Sequence, residues 1–104
     1  MTFTMRYLII FSQLASEDLT EILGWYKAQQ SDSDKRFIAE MSKVLKRLES
    51  MPETYPFEHP PLRKAFLKKF PYKVLYFIDE SNKEIQIVAV VHQSRNPNLW
   101  KKRI

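Results

Sequence analysis

The stretch Phe70–Trp100 reads F-P-Y-K-V-L-Y-F-I-D-E-S-N-K-E-I-Q-I-V-A-V-V-H-Q-S-R-N-P-N-L-W, and its pattern decides the fold. Two runs of aromatic and β-branched residues, Tyr72 to Ile78 and Ile85 to Val91, flank the polar break Asp79-Glu80-Ser81-Asn82-Lys83. Such runs around a short polar break predict a β-hairpin. Side chains alternate between the two faces of a strand, and here nearly every position is apolar. Both faces are therefore expected to be covered. The second strand carries His92, Gln93, Ser94 and Arg95 to its carboxyl end, ahead of a turn at Asn96-Pro97. The remaining segments are expected to cover this hairpin and present that end.

Immediately upstream, Leu62 to Phe70 (L-R-K-A-F-L-K-K-F) mixes lysines with apolar residues on both alternations. A bulge or a half-exposed edge strand accounts for that. Met51 to Pro61 holds four of the six prolines, Pro52, Pro56, Pro60 and Pro61. It predicts an ordered, extended loop pinned by Tyr55 and Phe57. Before it, Phe37, Met41, Val44, Leu45 and Leu48 form the apolar stripe of a helix that Pro52 ends. The polar break Gln29 to Asp34 offers this helix Asp32 or Ser33 as its N-cap.

An earlier helix has the stripe Ala15, Leu19, Ile22, Leu23 and Tyr26, with Ser12 placed as its N-cap. Glu17 and Asp18 fall in its first turns, where negative charge suits the helix dipole. Gly24 costs about 1 kcal/mol in such a position, and close approach of a partner backbone is the expected reason for it. Arg6 to Phe11 reads as the first strand, with Tyr7, Ile9 and Phe11 on one face. Downstream, Pro97 to Ile104 is a short basic tail anchored by Trp100. The order is β-α-α-β-β-β, an α+β fold in which a helical hairpin lies across one face of a small sheet.

At 104 residues the chain is expected to be one domain, 1–104, with a single modest core. Its apolar runs are too short to span a bilayer, and Met1 to Phe11 lacks the pattern of a signal peptide. There is no cysteine, so disulfide and thiolate–metal frameworks are excluded. A cytoplasmic location and no membrane partner are the expectations. Charge is unevenly placed. Residues 1–58 carry seven Lys/Arg against nine Asp/Glu, whereas 59–104 carry ten against three, giving −2 and +7 within the total of +5. A positive surface concentrated on the sheet and tail points to a polyanionic partner or an acidic protein. Only His59 and His92 offer imidazole ligands, in separate segments, so no metal site or cofactor is expected. With Gly24 the lone glycine, there is no phosphate-binding glycine loop.

Four stretches, taken in order, resemble the RelE/ParE superfamily of bacterial type II toxins. Trp25-Tyr26 before Gln29-Gln30 is similar to the aromatic pair that ends the family's first helix. Met51-Pro52-Glu53-Thr54-Tyr55-Pro56 resembles its N-P-E-x-Y-P loop. Leu62-Arg63-Lys64 through Phe70-Pro71-Tyr72 to Tyr76 resembles its R-R and F-P-Y-x-x-x-Y core. His92-Gln93-Ser94-Arg95-Asn96-Pro97 with Trp100 is similar to its H-x-x-R-x-P-x-x-W close. The likeness runs from Phe11-Ser12 to Trp100 and implies a βααβββ fold with a neutralising cognate antitoxin as partner. Operator DNA is then reached only through that antitoxin.

The resemblance also implies one of two targets. RelE-like members cut messenger RNA on the ribosome; ParE-like members, often labelled plasmid stabilisation proteins, inhibit DNA gyrase. The motifs here are closer to the ParE-like side. A nuclease of this kind needs a base, a cation for the phosphate and a donor for the leaving oxygen. The residues that would serve are His92, Arg95, Lys68, Lys69 and Lys73. Where RelE-like enzymes place a late tyrosine this chain has Trp100, whose indole is no phenolic acid. Target or antitoxin contacts are expected of Arg63, Lys64, Lys68, Lys69, Arg95, Trp100, Lys101, Lys102 and Arg103. Trp25, Tyr26, Tyr72 and Tyr76 are expected to anchor core and loops. His92 reads either as an acid/base group or as a structural histidine, and Arg95 either as a contact or as a brace for its turn.

Overall fold

The computed structural model describes residues 6–29, 31–94 and 101–103. Its elements run β1 (Leu8–Phe11), α1 (Gln13–Ala28), α2 (Ser33–Ser50), a 3₁₀ turn (Pro52–Thr54), β2 (Phe57–His59), β3 (Leu62–Phe66), β4 (Tyr72–Asp79) and β5 (Glu84–His92). They form one sheet of order β1-β5-β4-β3-β2, in which β1 runs parallel to β5 and the other pairs are antiparallel. The α+β arrangement of helical hairpin and small sheet is as expected, with one additional strand.

β4 and β5 form the predicted hairpin. Its turn is held by the Asp79 carboxylate, which accepts from the Asn82 backbone at 3.2 Å and side chain at 2.9 Å. Leu75 pairs with Ala89 but Tyr76 pairs with Ile87, so Val88 is an extra residue in β5. One inserted residue exchanges the faces of everything beyond it. Ile85, Ile87 and Val90 consequently join the core under the helices, while Val88, Ala89 and Val91 join a second cluster with Leu62 and Leu75. The bulge is the physical reason that this strand is apolar throughout instead of alternating.

Both helices lie on the first of these faces, with the predicted stripes turned inward. Ser12 caps α1, its hydroxyl accepting from the Ala15 N–H at 3.0 Å. Tyr26, Phe37, Phe70 and Tyr72 interlock with ring centroids 5.3 to 6.3 Å apart, tying the helical hairpin to the start of β4. Tyr7, Ile9 and Phe11 pack against the same core. Tyr76 is fully buried, and its hydroxyl donates to the Pro52 carbonyl at 2.5 Å. Burial holds that phenol far above its usual titration range. The proline-rich loop is thereby fastened to the sheet, with Tyr55 edge-on to Tyr76.

Several local expectations are corrected. The loop contains β2, a three-residue strand too short to show a period in sequence. β2 is the sheet edge, so β3 is an interior strand, and it ends at Phe66 instead of Phe70. Phe57 does not pin the loop inward: it is 47% exposed, under the Arg63 guanidinium at 4.0 Å. β1 begins at Leu8, not Arg6. Asp32 stands at the N-cap of α2 without a side-chain bond, and it is the Ser31 hydroxyl that accepts from Ser33 N–H at 3.3 Å. Trp25 is 59% exposed and is no core anchor.

Gly24 is not a close-approach site either, because a Cβ there meets nothing within 4 Å. Replacing it with alanine removes a helix-propensity cost against no steric opposition. Gly24→Ala is expected to stabilise the protein by up to about 1 kcal/mol, read as a higher urea midpoint with unchanged slope. A lower midpoint would show that the glycine has a use the packing does not reveal.

Candidate functional site

The carboxyl end of β5 is where the sheet runs out of strand on one side. β1 pairs with Glu84 to Ile87 only, and the rung from Ser12 N–H to the Ile87 carbonyl at 3.0 Å closes that ladder. Beyond it, side chains take over. The Ser12 hydroxyl reaches the Val88 carbonyl at 3.4 Å, and the Asp18 carboxylate accepts from Val90 N–H at 3.0 Å. Arg103 donates to Val88 O at 3.2 Å and forks onto Asp18 at 2.7 and 3.1 Å. The hydrogen bond to Asp18 holds its guanidinium still more firmly in the charged form. Buried backbone groups must find partners, and here α1 and the tail provide them.

A cleft of about 410 Å³ lies beside this edge. α1 lines it with Asp18, Glu21, Ile22 and Trp25, and the hairpin with Tyr72 and His92. His92 stands edge-on to Tyr72 at 5.5 Å. Its Nδ1 accepts from the Ser94 backbone N–H at 3.2 Å and lies 2.8 Å from the Ser94 hydroxyl. A backbone N–H can only donate, so a neutral His92 carries its proton on Nε2. In that tautomer Nδ1 is engaged and Nε2 has no free lone pair to act as a base.

The sheet lysines lie elsewhere. Lys73 is only 7% exposed and is paired with Glu58, which Lys64 also meets at 3.4 Å. Lys73 neighbours Tyr72 in sequence and so faces the opposite side of the sheet from it. Lys68 lines a second cleft of about 180 Å³, between α2 and β3, with Lys43, Arg47, Tyr55 and Phe66. Lys69 sits in the connection from β3 to β4 with φ of 70°. Among the described residues no group of acidic or imidazole side chains is arranged to hold a metal ion, and no helix is long and apolar enough to cross a membrane.

Residues 9–97 match the family model of the ParE toxin of type II toxin–antitoxin system, parDE. The chain belongs to this family. The fold is similar to a structure of the chromosomal ParDE toxin–antitoxin system from P. aeruginosa, at 21% identity and a TM-score of 0.70, covering 86% of this chain and 98% of that one. It is also similar to a chain of the RelBE2 toxin–antitoxin complex from Mycobacterium tuberculosis, at 19% identity and a TM-score of 0.57, covering 89% and 98%. Among curated protein sequences none matches. At these identities the structures speak for the shared fold, and a fold shared by ParE and RelE branches does not choose a target.

In this ParE-family chain the nuclease set implied by resemblance is split over separate places. His92 lies at the larger cleft, Lys68 at the smaller one, Lys69 in a turn, and Lys73 on the opposite face with Glu58. Arg95 and Trp100 lie outside the described residues, as does the Asn96-Pro97 turn. Three expected contact residues are used internally, Lys64 among them in its ion pair with Glu58 at 3.4 Å. Arg63 donates to the carbonyls of Glu53 at 3.2 Å and Tyr55 at 2.7 Å, and Arg103 closes the β5 edge. Lys101 and Lys102 are exposed.

Asp18 and Glu58 are the residues that sequence reasoning missed. Asp18 was assigned to the helix dipole, although it lies past the first turn of α1. Glu58 did carry a signal, being the only acid between Glu53 and Asp79 in a lysine-rich stretch. Burial pushes its carboxyl up, but the hydrogen bond and charge of Lys73, joined by Lys64, outweigh this and hold it below the usual carboxylate range. A lowered folded-state value means the contribution is present above the unfolded carboxyl's value of about 4.3 and is lost as pH falls through the folded one. Glu58→Gln is expected to cost about 3 kcal/mol at pH 7, because it strands a buried ammonium. Urea midpoints of wild type and variant should converge below about pH 4; parallel curves would contradict the pairing.

Proposed function

We propose that this chain is a ParE-like toxin that inhibits DNA gyrase by binding it, without catalysis of its own, and that a cognate antitoxin holds it in check. The toxin unit is the single domain 1–104, acting in the bacterial cytoplasm as part of a plasmid stabilisation module. The observation that supports binding over RNA cleavage is the separation of Lys68 and Lys73 from His92, together with the hydrogen bond that occupies His92 Nδ1. Among the described residues, the lining of the cleft beside His92 includes no lysine or arginine to meet a phosphodiester.

Contacts to gyrase or to the antitoxin are assigned to the exposed basic positions, Lys68, Lys69, Lys101 and Lys102, with Arg95 and Trp100 of the tail. The smaller cleft, lined by Lys43, Arg47 and Lys68, by Val44, Tyr55 and Phe66, and by Glu40 paired with Lys43, has the mixed basic and apolar character that suits an acidic amphipathic segment. Operator DNA is contacted through the antitoxin alone.

Induced expression without antitoxin tests this reading. His92→Ala is expected to arrest growth as wild type does, with no new transcript 5′ ends by primer extension. Arg95, Lys101 and Lys102 replaced together by alanine should relieve the arrest in a protein that still folds. Cleaved transcripts that disappear with His92→Ala would instead make the chain a ribosome-dependent endoribonuclease. Harmless expression of the wild type would make it an inactive relative that only binds antitoxin.

A further inference from the structure

We propose that Asp18 and Arg103 are positioning residues, whose ion pair fixes the tail against the β5 edge so that Lys101 and Lys102 meet gyrase already in place. The proposal rests on the assignment of those two lysines to the gyrase contact. Asp18 and Arg103 lie 85 residues apart in sequence, yet the guanidinium meets the carboxylate twice, at 2.7 and 3.1 Å. Their side chains are only 15% and 19% exposed, so solvent and salt screen this pair less than they would a surface pair. A guanidinium forked onto a carboxylate is fixed in orientation as well as in distance. The tail is thereby held at residue 103, while its neighbours Lys101 and Lys102 are exposed.

The strand edge does not itself require Arg103. Val90 N–H is met by the Asp18 carboxylate at 3.0 Å, and the Val88 carbonyl by the Ser12 hydroxyl at 3.4 Å. The guanidinium adds a second donor to that carbonyl, at 3.2 Å. Removing it leaves neither backbone group without a partner. What it removes is the tie between the tail and the body of the protein, and a chain end without such a tie is ordinarily poorly ordered. A loose tail must be ordered at the moment of binding, at the expense of affinity, whereas a tail fixed beforehand is not. Lysine in place of Arg103 keeps the charge but cannot fork, so it holds the tail less well.

The test compares the full chain with Arg103→Ala, Arg103→Lys and Asp18→Asn, the last of which keeps an acceptor for Val90 N–H but loses the charge. Tail order is read from the heteronuclear NOE of the Lys101 and Lys102 amides, and activity from the dose that half-inhibits supercoiling by gyrase. Arg103→Ala and Asp18→Asn should lower both NOE values and raise the dose about tenfold, the loss expected when a preorganised contact must be ordered on binding. Arg103→Lys should fall between them and wild type, and amides away from Val88 to Val90 should keep their shifts. A tail that stays ordered in Arg103→Ala overturns the proposal, and so does a loosened tail with an unchanged dose. A brace for the fold alone predicts a lower urea midpoint with NOE and dose unmoved, or shifts spread through the spectrum; either result also overturns it. No inhibition by the wild type would overturn the gyrase reading itself, a failure visible before any substitution is made, and with it the use proposed for the tail.

Discussion

The unequal length of β1 and β5 is the constraint around which this molecule is arranged. β5 continues for five residues past its last pairing with β1, and a strand edge inside a protein cannot be left without hydrogen-bond partners. The bulge at Val88 falls where the neighbouring strand stops, turning one carbonyl toward Ser12 and Arg103. Ser12 therefore serves two elements, capping α1 with its oxygen and touching β5 with its hydroxyl proton. Asp18 does the same from nearly two turns further on, joining α1 to Val90 and to the tail. The cleft exists because α1 leans on this edge through polar side chains instead of through another strand.

Charge follows a comparable logic. The chain is basic, yet its buried or half-buried cations each meet an acid or a carbonyl: Lys73 and Lys64 at Glu58, Arg103 at Asp18, Arg63 at the loop carbonyls. Breaking such a pair leaves a buried charge, which is far more costly than removing both partners. The cations held in this way give the fold its definition. Lys68, Lys69, Lys101 and Lys102 are exposed instead.

The hairpin, both helices and their inward stripes were legible because their periods persist over many residues, as in Phe37, Met41, Val44 and Leu48. β2 was not, since three residues show no period and Phe57 is apolar yet exposed. Without it the mixed pattern of Leu62 to Phe70 reads as a bulge or an edge strand, whereas β3 is interior and the irregularity lies in β2, between Phe57 and His59. The site was legible in its parts and not in its assembly. His92 was placed correctly at the end of β5, but its bond to Ser94 and the distance of Lys73 from it depend on face and register. Asp18 and Glu58 work through partners far away in sequence, Val90 and Lys73, and only folding brings such pairs together.

A fold shared by ParE and RelE chains does not itself fix an activity, which lies in what decorates the end of the sheet. In this chain that end has a histidine engaged by Ser94, and Lys73 is committed to the far face. The most direct measurement is supercoiling of relaxed plasmid by purified gyrase in the presence of increasing amounts of the folded protein. Dose-dependent inhibition, reversed by the cognate antitoxin, is the result the account predicts. Full supercoiling activity at a large molar excess of the protein would contradict it.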